Sequence, residues 1–147
     1  IDGADEIDHQ LRMIKGGGGA LLQEKIVASA ARQYIIIGDQ SKLVTQLGSF
    51  PLPVEVIPFA WKHVQRHIVH NYTIEVKLRI KHQKPFITDH HHFILDCHFH
   101  QIHDPAAIQR SLKNIPGIVE DGLFINMADM ALIGMEDGSI STIRKKQ

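Results

Sequence analysis

The apolar positions of this 147-residue chain follow two patterns, which change over near Pro51. In the first third, Leu22, Ile26 and Ala30 recur at helical spacing, as do Ala20, Val27 and Ala31. A helix is therefore expected to start where the run Gly16-Gly17-Gly18-Gly19 ends. Tyr34-Ile35-Ile36-Ile37 is a continuous apolar run closed by Gly38-Asp39, the pattern of a strand buried on both faces of a parallel sheet. A short helix is expected from Ser41 to Leu47, with Ser41 as its cap. Loop, helix, buried strand and helix together read as a piece of an α/β sheet.

Beyond Pro53 the pattern changes. Val54-Glu55-Val56-Ile57 reads as a strand, and Pro58 opens a helix to about His70. Tyr72, Ile74, Val76, Leu78 and Ile80 alternate with polar residues, as on a strand with one wet face. Phe86-Ile87 and Phe93 to Phe99 are expected as strands around a turn at Asp89 to His92. Asp104-Pro105 caps a helix carrying Ile108, Leu112 and Ile115 and ended by Pro116-Gly117, and Leu123-Phe124-Ile125 is a closing strand. This order, β-α-β-β-β-α-β, suggests a split βαβ, ferredoxin-like unit. Met130 to Gly134 and Ser139 to Ile143 read as a hairpin around Glu136-Asp137-Gly138. The expected architecture is a partial Rossmann-like parallel sheet unit plus a ferredoxin-like α+β subdomain. Residues 1–50 form part of the α/β domain, 51–126 the ferredoxin-like part, and 127–147 return to the α/β domain.

Composition narrows the function classes. Hydrophobic residues make up 44% and charged residues 22% of the chain, the balance of a globular protein with a core. Sixteen basic and sixteen acidic residues cancel, so no electrostatic case for nucleic acid or an anionic membrane arises. The longest apolar runs, about five residues, fall far short of the roughly 20 that span a bilayer. The lone Cys97 cannot form an internal disulfide, which suits a reducing, cytoplasmic setting.

Several residues could carry chemistry. Glu24 projects beside Ala20, Val27, Ala28 and Ala31; if that flank packs, desolvation would lift its pKa toward neutrality, where a carboxylate takes and returns a proton. The alternative is a solvated first-turn glutamate that complements the helix dipole. Lys15 precedes the glycine run, and bare amides at a helix N-terminus beside an ammonium suit an anion or oxyanion. The order differs from the nucleotide P-loop, where lysine follows the last glycine. Asp2, Asp5, Glu6 and Asp8 crowd acids into a short stretch that suits sugar hydroxyls, without EF-hand spacing. Lys42 lies just past the expected buried strand, where α/β sheets place phosphates. Among the 11 histidines, two or three of His98, His100 and His103 could ligate zinc. Solvated strand and turn histidines are favoured over that site, and Cys97 is assigned to the core with Phe93, Leu95 and Phe99.

Taken together, these residues carry a family resemblance. Asp2-Gly3-Ala4-Asp5-Glu6, Ile14-Lys15-Gly16-Gly17-Gly18, Glu24-Lys25, Asp39 with Ser41-Lys42, and Phe50 through Pro58 resemble the A-type ribose-5-phosphate isomerases. Ile94-Leu95-Asp96, Ile115 through Val119, Gly122-Leu123-Phe124 and Ala131 through Gly134 match in the same order. The resemblance implies interconversion of ribose 5-phosphate and ribulose 5-phosphate in the pentose phosphate pathway, with no metal or organic cofactor. It casts Glu24 as the base and Lys15, with the amides of Gly16 to Gly18, as the oxyanion group. Asp2 and Asp5 become sugar contacts that assist ring opening, with Gly3 and Ala4 between them, and Lys42 a lysine near the phosphate. A homodimer or homotetramer is also implied. The rival is a non-catalytic sugar-phosphate sensor of the same fold.

The family's N-terminal Thr/Ser-Gly-rich phosphate loop has no counterpart in these residues, so the chain reads as a C-terminal portion. On that reading the purified 147-residue chain is expected to isomerise ribose 5-phosphate slowly or not at all. A coupled assay beside a full-length relative checks this, and equal rates would refute it.

Overall fold

The computed structural model of the chain describes residues 1–145. In chain order the elements are β1 (Glu6–Asp8), β2 (Met13–Ile14), α1 (Leu21–Ala30), β3 (Ile35–Asp39), β4 (Leu43–Val44), β5 (Leu52–Val56), α2 (Trp61–Tyr72) and β6 (Glu75–Leu78). Then come β7 (Ile80–Lys81), β8 (Lys84–Pro85), β9 (Phe93–His98), α3 (Pro105–Lys113), β10 (Ile118–Asp121), β11 (Leu123–Phe124), β12 (Met130–Gly134) and β13 (Ile140–Arg144). The class is mixed α/β, as the sequence implies.

The ferredoxin-like part forms an antiparallel sheet in the order β10-β5-β9-β6. β9 lies between β5 and β6, which α2 connects, and this is the split βαβ arrangement. Leu52, Val54, Val56, Val76, Leu95 and Cys97 bury one face of the sheet against Val64 and Ile68 of α2 and Leu112 of α3. Each helix starts at a proline-led turn, and the Asp104 carboxylate accepts from the Ala107 N–H at the α3 N-cap, as expected. Tyr72 ends α2 instead of opening a strand, because Thr73 turns into the left-handed region (φ 53°) and stops the helix. Phe86-Ile87 lies outside any strand. The hairpin partner is β8, joined to β7 through His82 and Gln83, both at positive φ as a tight primed turn requires.

The α/β part departs further from the pattern. β3 pairs in parallel with β12, which pairs with β13 as the expected hairpin, and Asp2 bridges the other edge of β3 at Ile36. Only one face of β3 is covered: Ile36 is buried, whereas Ile37 is 51% exposed, so the strand is not buried on both faces. In α1 the buried positions are Leu21 and Ala28, while Ile26 (56%) and Val27 (68%) are exposed. No helix runs from Ser41 to Leu47. Asp39, not Ser41, caps a single 3-10 turn, Gln40–Lys42, by accepting from the Ser41 N–H at 2.8 Å, and Leu43–Val44 then leaves to pair with β1.

One segment joins the two parts. β10 pairs with β5, yet after Gly122 the chain changes sheets, and β11 pairs with β2 in the order β11-β2-β1-β4. At the crossing, the Gly122 N–H donates to the Pro53 carbonyl (2.8 Å) and its carbonyl accepts from the Lys15 N–H (2.9 Å). The expected closing strand at Leu123 therefore belongs to the other sheet, and the strand that closes the ferredoxin-like sheet is Ile118–Asp121, which carries no alternation to reveal it. Residues 127–145 return beside β3, while 146–147 of that expected segment lie outside the described residues. Among the described residues no helix is long and apolar enough to cross a membrane.

Gly122 has no room for a side chain, since a Cβ there would sit 2.4 Å from the Lys15 carbonyl oxygen and 2.8 Å from Pro53 Cδ. Gly122→Ala is expected to cost about 1–3 kcal/mol, the usual range for overpacking. The shift in urea midpoint measures it.

Candidate active site

Lys15 follows β2 directly and turns its side chain inward, leaving only 3% exposed. An ammonium taken out of water needs charged and polar partners to offset its lost hydration. Its Nζ bonds the Gly3 carbonyl and lies 3.1 Å from both Asp2 Oδ2 and Glu24 Oε1. The Phe124 ring sits 5.6 Å away, a cation–π distance.

Each partner is held by a different element. Asp2 is fixed along β3, its N–H donating to the Ile35 carbonyl and its carbonyl accepting from the Ile37 N–H. Its carboxylate accepts from the Gly3 N–H (2.8 Å) and the Tyr34 hydroxyl (2.9 Å). Burial works against the charged form, but Lys15, the Gly3 amide and the Tyr34 hydroxyl outweigh it, and the Asp2 pKa lies below the usual aspartate value. Burial, then the bonded Asp2 carboxylate and the charge of Glu24, push the Tyr34 phenol well above its ordinary value. Glu24 stands in the first turn of α1, its N–H donating to the Ala20 carbonyl. Its side chain is 29% exposed, so the apolar flank expected to desolvate it does not close over it; Val27 of that flank faces solvent.

The glycines form a tight turn between β2 and α1. Gly16 (φ 103°) and Gly19 (φ 90°) adopt the left-handed region, and the Gly19 N–H donates to the Gly16 carbonyl at 3.0 Å. The Gly17 N–H donates to Asp5 Oδ2 at 2.7 Å. Asp2, Gly3, Ala4, Asp5, Lys15, Gly16, Gly17, Gly18 and Glu24 line one open cavity of about 230 Å³. Of the residues that the resemblance casts in the site, all but Lys42 are brought together; Glu6 instead accepts from the Gly48 and Phe50 N–H groups, and Asp8 pairs with Arg12. Lys42 does not line the cavity; it sits in the 3-10 turn beyond β3 with the start of its side chain packed over Gly38.

Three residues with a part in the site carry no local sequence signal: Tyr34 on Asp2, Phe124 under Lys15, and Arg79, which bonds the carbonyls of Gly16 and Gly17. The histidines are dispersed. His98 and His100 stand 6.4 Å apart between ring centroids, His103 bonds Gln46, and His91 occupies the turn at φ 62°. His92 is not a solvated turn residue; its Nδ1 lies 2.9 Å from the buried Glu55. Among the described residues no group of three or more His, Cys, Asp or Glu side chains is placed to hold a metal ion. Cys97 is fully buried, which pushes its thiol up and leaves it inert.

Comparison with known proteins adds independent findings. The family model of ribose 5-phosphate isomerase A (phosphoriboisomerase A) matches residues 1–138. The chain is 52% identical over 139 residues to ribose-5-phosphate isomerase A of Bacillus mycoides, covering 94% of this chain and 62% of that protein. It is 51% identical over 145 residues to the Parvibaculum lavamentivorans enzyme of the same name, covering 95% and 63%. Among solved structures, ribose 5-phosphate isomerase from Plasmodium falciparum superposes with a TM-score of 0.94 at 40% identity, over 99% of this chain and 65% of that one. A D-ribose-5-phosphate isomerase in complex with phospho-erythronic acid gives 0.92 at 38% identity, over 97% and 63%. The chain thus spans a little under two thirds of the length of these relatives.

The Tyr34 hydroxyl favours the charged form of Asp2, so its removal reverses part of the shift. Tyr34→Phe is expected to raise the Asp2 titration midpoint, read from the carboxyl 13C shift. An unchanged midpoint would show that the hydroxyl contributes nothing.

Proposed function

The chain belongs to the ribose 5-phosphate isomerase A family, and from that membership and the cavity's geometry we propose that it interconverts D-ribose 5-phosphate and D-ribulose 5-phosphate. The observation that carries this reading is the placement of Lys15 Nζ, 3.1 Å from Asp2 and from Glu24 beside the glycine amides. An aldose–ketose shift moves a proton from C2 to C1 while the hydroxyl proton at O2 passes to O1, through an enediolate. Such a reaction needs a carboxylate base at the carbon and fixed positive charge at the carbonyl oxygen.

Glu24 takes the C2 proton and returns it at C1. Its residual exposure leaves room for a bound sugar to displace water from it, completing the desolvation that the free site lacks. Lys15 and the amides of the glycine turn hold the negative oxygen of the enediolate. Because these donors are already fixed, they need little reorganisation as charge develops. Asp2, its pKa held below the usual aspartate value, stays ionised and, with Asp5, Gly3 and Ala4, meets the sugar hydroxyls and assists ring opening. Lys42, outside the cavity in the free chain, serves as a longer-range positive charge for the phosphate end. The complex of one structural relative with phospho-erythronic acid supports the reading, since that compound joins a phosphate to a planar anionic group much like an enediolate.

Residues 1–50 and 127–147 supply the catalytic α/β part, residues 51–126 the ferredoxin-like part, and the working form is a cytoplasmic homodimer or homotetramer. A non-catalytic sugar-phosphate sensor is the competing reading. A base held against an ammonium at the cavity speaks against it, because binding alone requires no base.

Incubation of an intact version, carrying the family's N-terminal section as well as these residues, with ribose 5-phosphate in D2O tests the assignment. Ribulose 5-phosphate carrying deuterium at C1 is expected, and Glu24→Gln is expected to slow its appearance by about 10²–10⁴-fold, the usual weight of a general base, with binding largely kept. Equal losses in binding and in rate would reassign Glu24 to positioning. An intact version that binds the sugar phosphate yet exchanges no deuterium would favour the sensor.

A further inference from the structure

The cation that sets the glycine turn comes from the other sheet. Arg79 lies between β6 and β7, its backbone tied by its N–H to the Ile94 carbonyl and by its carbonyl to the Phe86 N–H, each at 2.8 Å. Its guanidinium is largely buried and meets Asp96 of β9 fork to fork, Nε to Oδ2 at 2.9 Å and Nη2 to Oδ1 at 2.5 Å. That pairing fixes the plane of the group. The remaining nitrogen, Nη1, reaches into the site and donates to the Gly16 carbonyl at 2.8 Å and the Gly17 carbonyl at 3.2 Å. The Phe86 ring lies 5.9 Å from the guanidinium carbon and packs on Gly19, where a Cβ would fall 2.3 Å from the ring.

Two carbonyls drawn to one cation determine where the following amides point, because a trans peptide directs its N–H opposite its C=O. The Gly16 carbonyl faces Arg79, so the Gly17 N–H faces away and reaches Asp5 at 2.7 Å. The Gly17 carbonyl also faces Arg79, so the Gly18 N–H is turned from it. Gly18 lines the cavity, and among the described residues its amide has no hydrogen-bond partner. A guanidinium on the carbonyl also polarises the peptide and strengthens the N–H as a donor.

We propose that Arg79, oriented by Asp96, is a positioning residue: it holds the Gly17–Gly18 peptide so that the Gly18 N–H is presented to a negative oxygen in the cavity. This rests on the isomerase reading for the identity of that oxygen, but not for the geometry of the peptide. Lysine cannot replace arginine here, since one ammonium cannot span both Asp96 oxygens and two carbonyls.

The experiment compares the parent with Arg79→Lys and Asp96→Asn, using 15N–1H spectra of the chain and kinetics of an intact version that carries the N-terminal section. In Arg79→Lys, the Gly17 and Gly18 amide resonances are expected to move while those of the β12–β13 hairpin stay. On addition of ribose 5-phosphate the Gly18 resonance is expected to shift downfield in the parent chain and much less in the variant. kcat is expected to fall at least about tenfold, less than the roughly 10²–10³ seen when an oxyanion donor is lost outright because the amide is misdirected and not removed, with KM little changed. Asp96→Asn keeps the guanidinium but loosens its fork, and gives smaller changes of the same sign. It decides the matter if Arg79→Lys does not fold. Gly17 and Gly18 resonances that match the parent in a folded variant would overturn the proposal, as would a parent Gly18 resonance that ignores the ligand. An intact version, N-terminal section included, that binds ribose 5-phosphate through Gly18 but moves no proton would instead sink the isomerase reading alone.

Discussion

A single ammonium, withdrawn from water, organises the site and much of the chain around it. Lys15 is held by a carbonyl and two carboxylates that come from three places: the segment along β3, the loop after it, and the first turn of α1. Removing either carboxylate would leave a buried charge underbalanced, so the position of each is tied to the others. The same arrangement suits proton transfer beside a carbonyl. In the free protein the two carboxylates satisfy the cation; on the proposed reading, a sugar oxygen that becomes negative finds that cation already in place, and the proposed base next to it has accessible surface for the carbon it must reach.

The segment 118–124 carries this arrangement across the two sheets. Gly122 ties Pro53 on one side to Lys15 on the other, and Leu123 and Phe124 pair with Ile14 and Met13. Lys25, adjacent to the proposed base, crosses the other way. Its Nζ lies 2.9 Å from Glu120 and 3.5 Å from the fully buried Asp121, and 4.9 Å from the same Phe124 ring that supports Lys15. Burial pushes Asp121 above the usual aspartate value despite Lys25, and one of its oxygens has no partner. Glu120 is also penalised by burial, yet Lys25 and the Asp121 N–H hold it below the glutamate value. The pair thus divides its roles: Glu120 carries the ion pair, while Asp121 chiefly accepts from Leu123 N–H and Gln109 at the crossing.

Much of this was legible in the residues, for reasons that differ by element. α2, α3, the β12–β13 hairpin and the split βαβ order follow from spacing and punctuation, because each depends on a local pattern or a local cap. Lys15 and the glycines stood out as an anion-site candidate from their own spacing, whereas Asp2 and Asp5 joined them only through the family resemblance. Segments whose structure is decided by distant partners were not legible. Ile35 to Ile37 looked doubly buried because composition records hydrophobicity and not which neighbours arrive. Ser41 to Leu47 looked helical, but the Asp39 side chain captured the turn first. Ile118 to Asp121 has no alternation because α3 and α1 both pack against it and a bulge breaks its register with β5. Tyr34, Phe124 and Arg79 reach the site only through the fold.

The glycine run itself shows why the site had to be built from both halves of the chain. Gly16 needs φ near 103°, Gly17 would place a Cβ 2.5 Å from Asp5 Oδ1, and Gly19 would strike the Phe86 ring; only Gly18 has open space around it. Three of the four glycines are therefore required by what surrounds them, and the freest one carries the unpartnered amide. A turn of bare glycines is entropically loose on its own. Here Asp5 fixes it from the front, Arg79 from behind and Phe86 at its end, and two of those three come from the ferredoxin-like part. That part contributes no side chain to the cavity lining, yet the direction of the amides in the cavity depends on it.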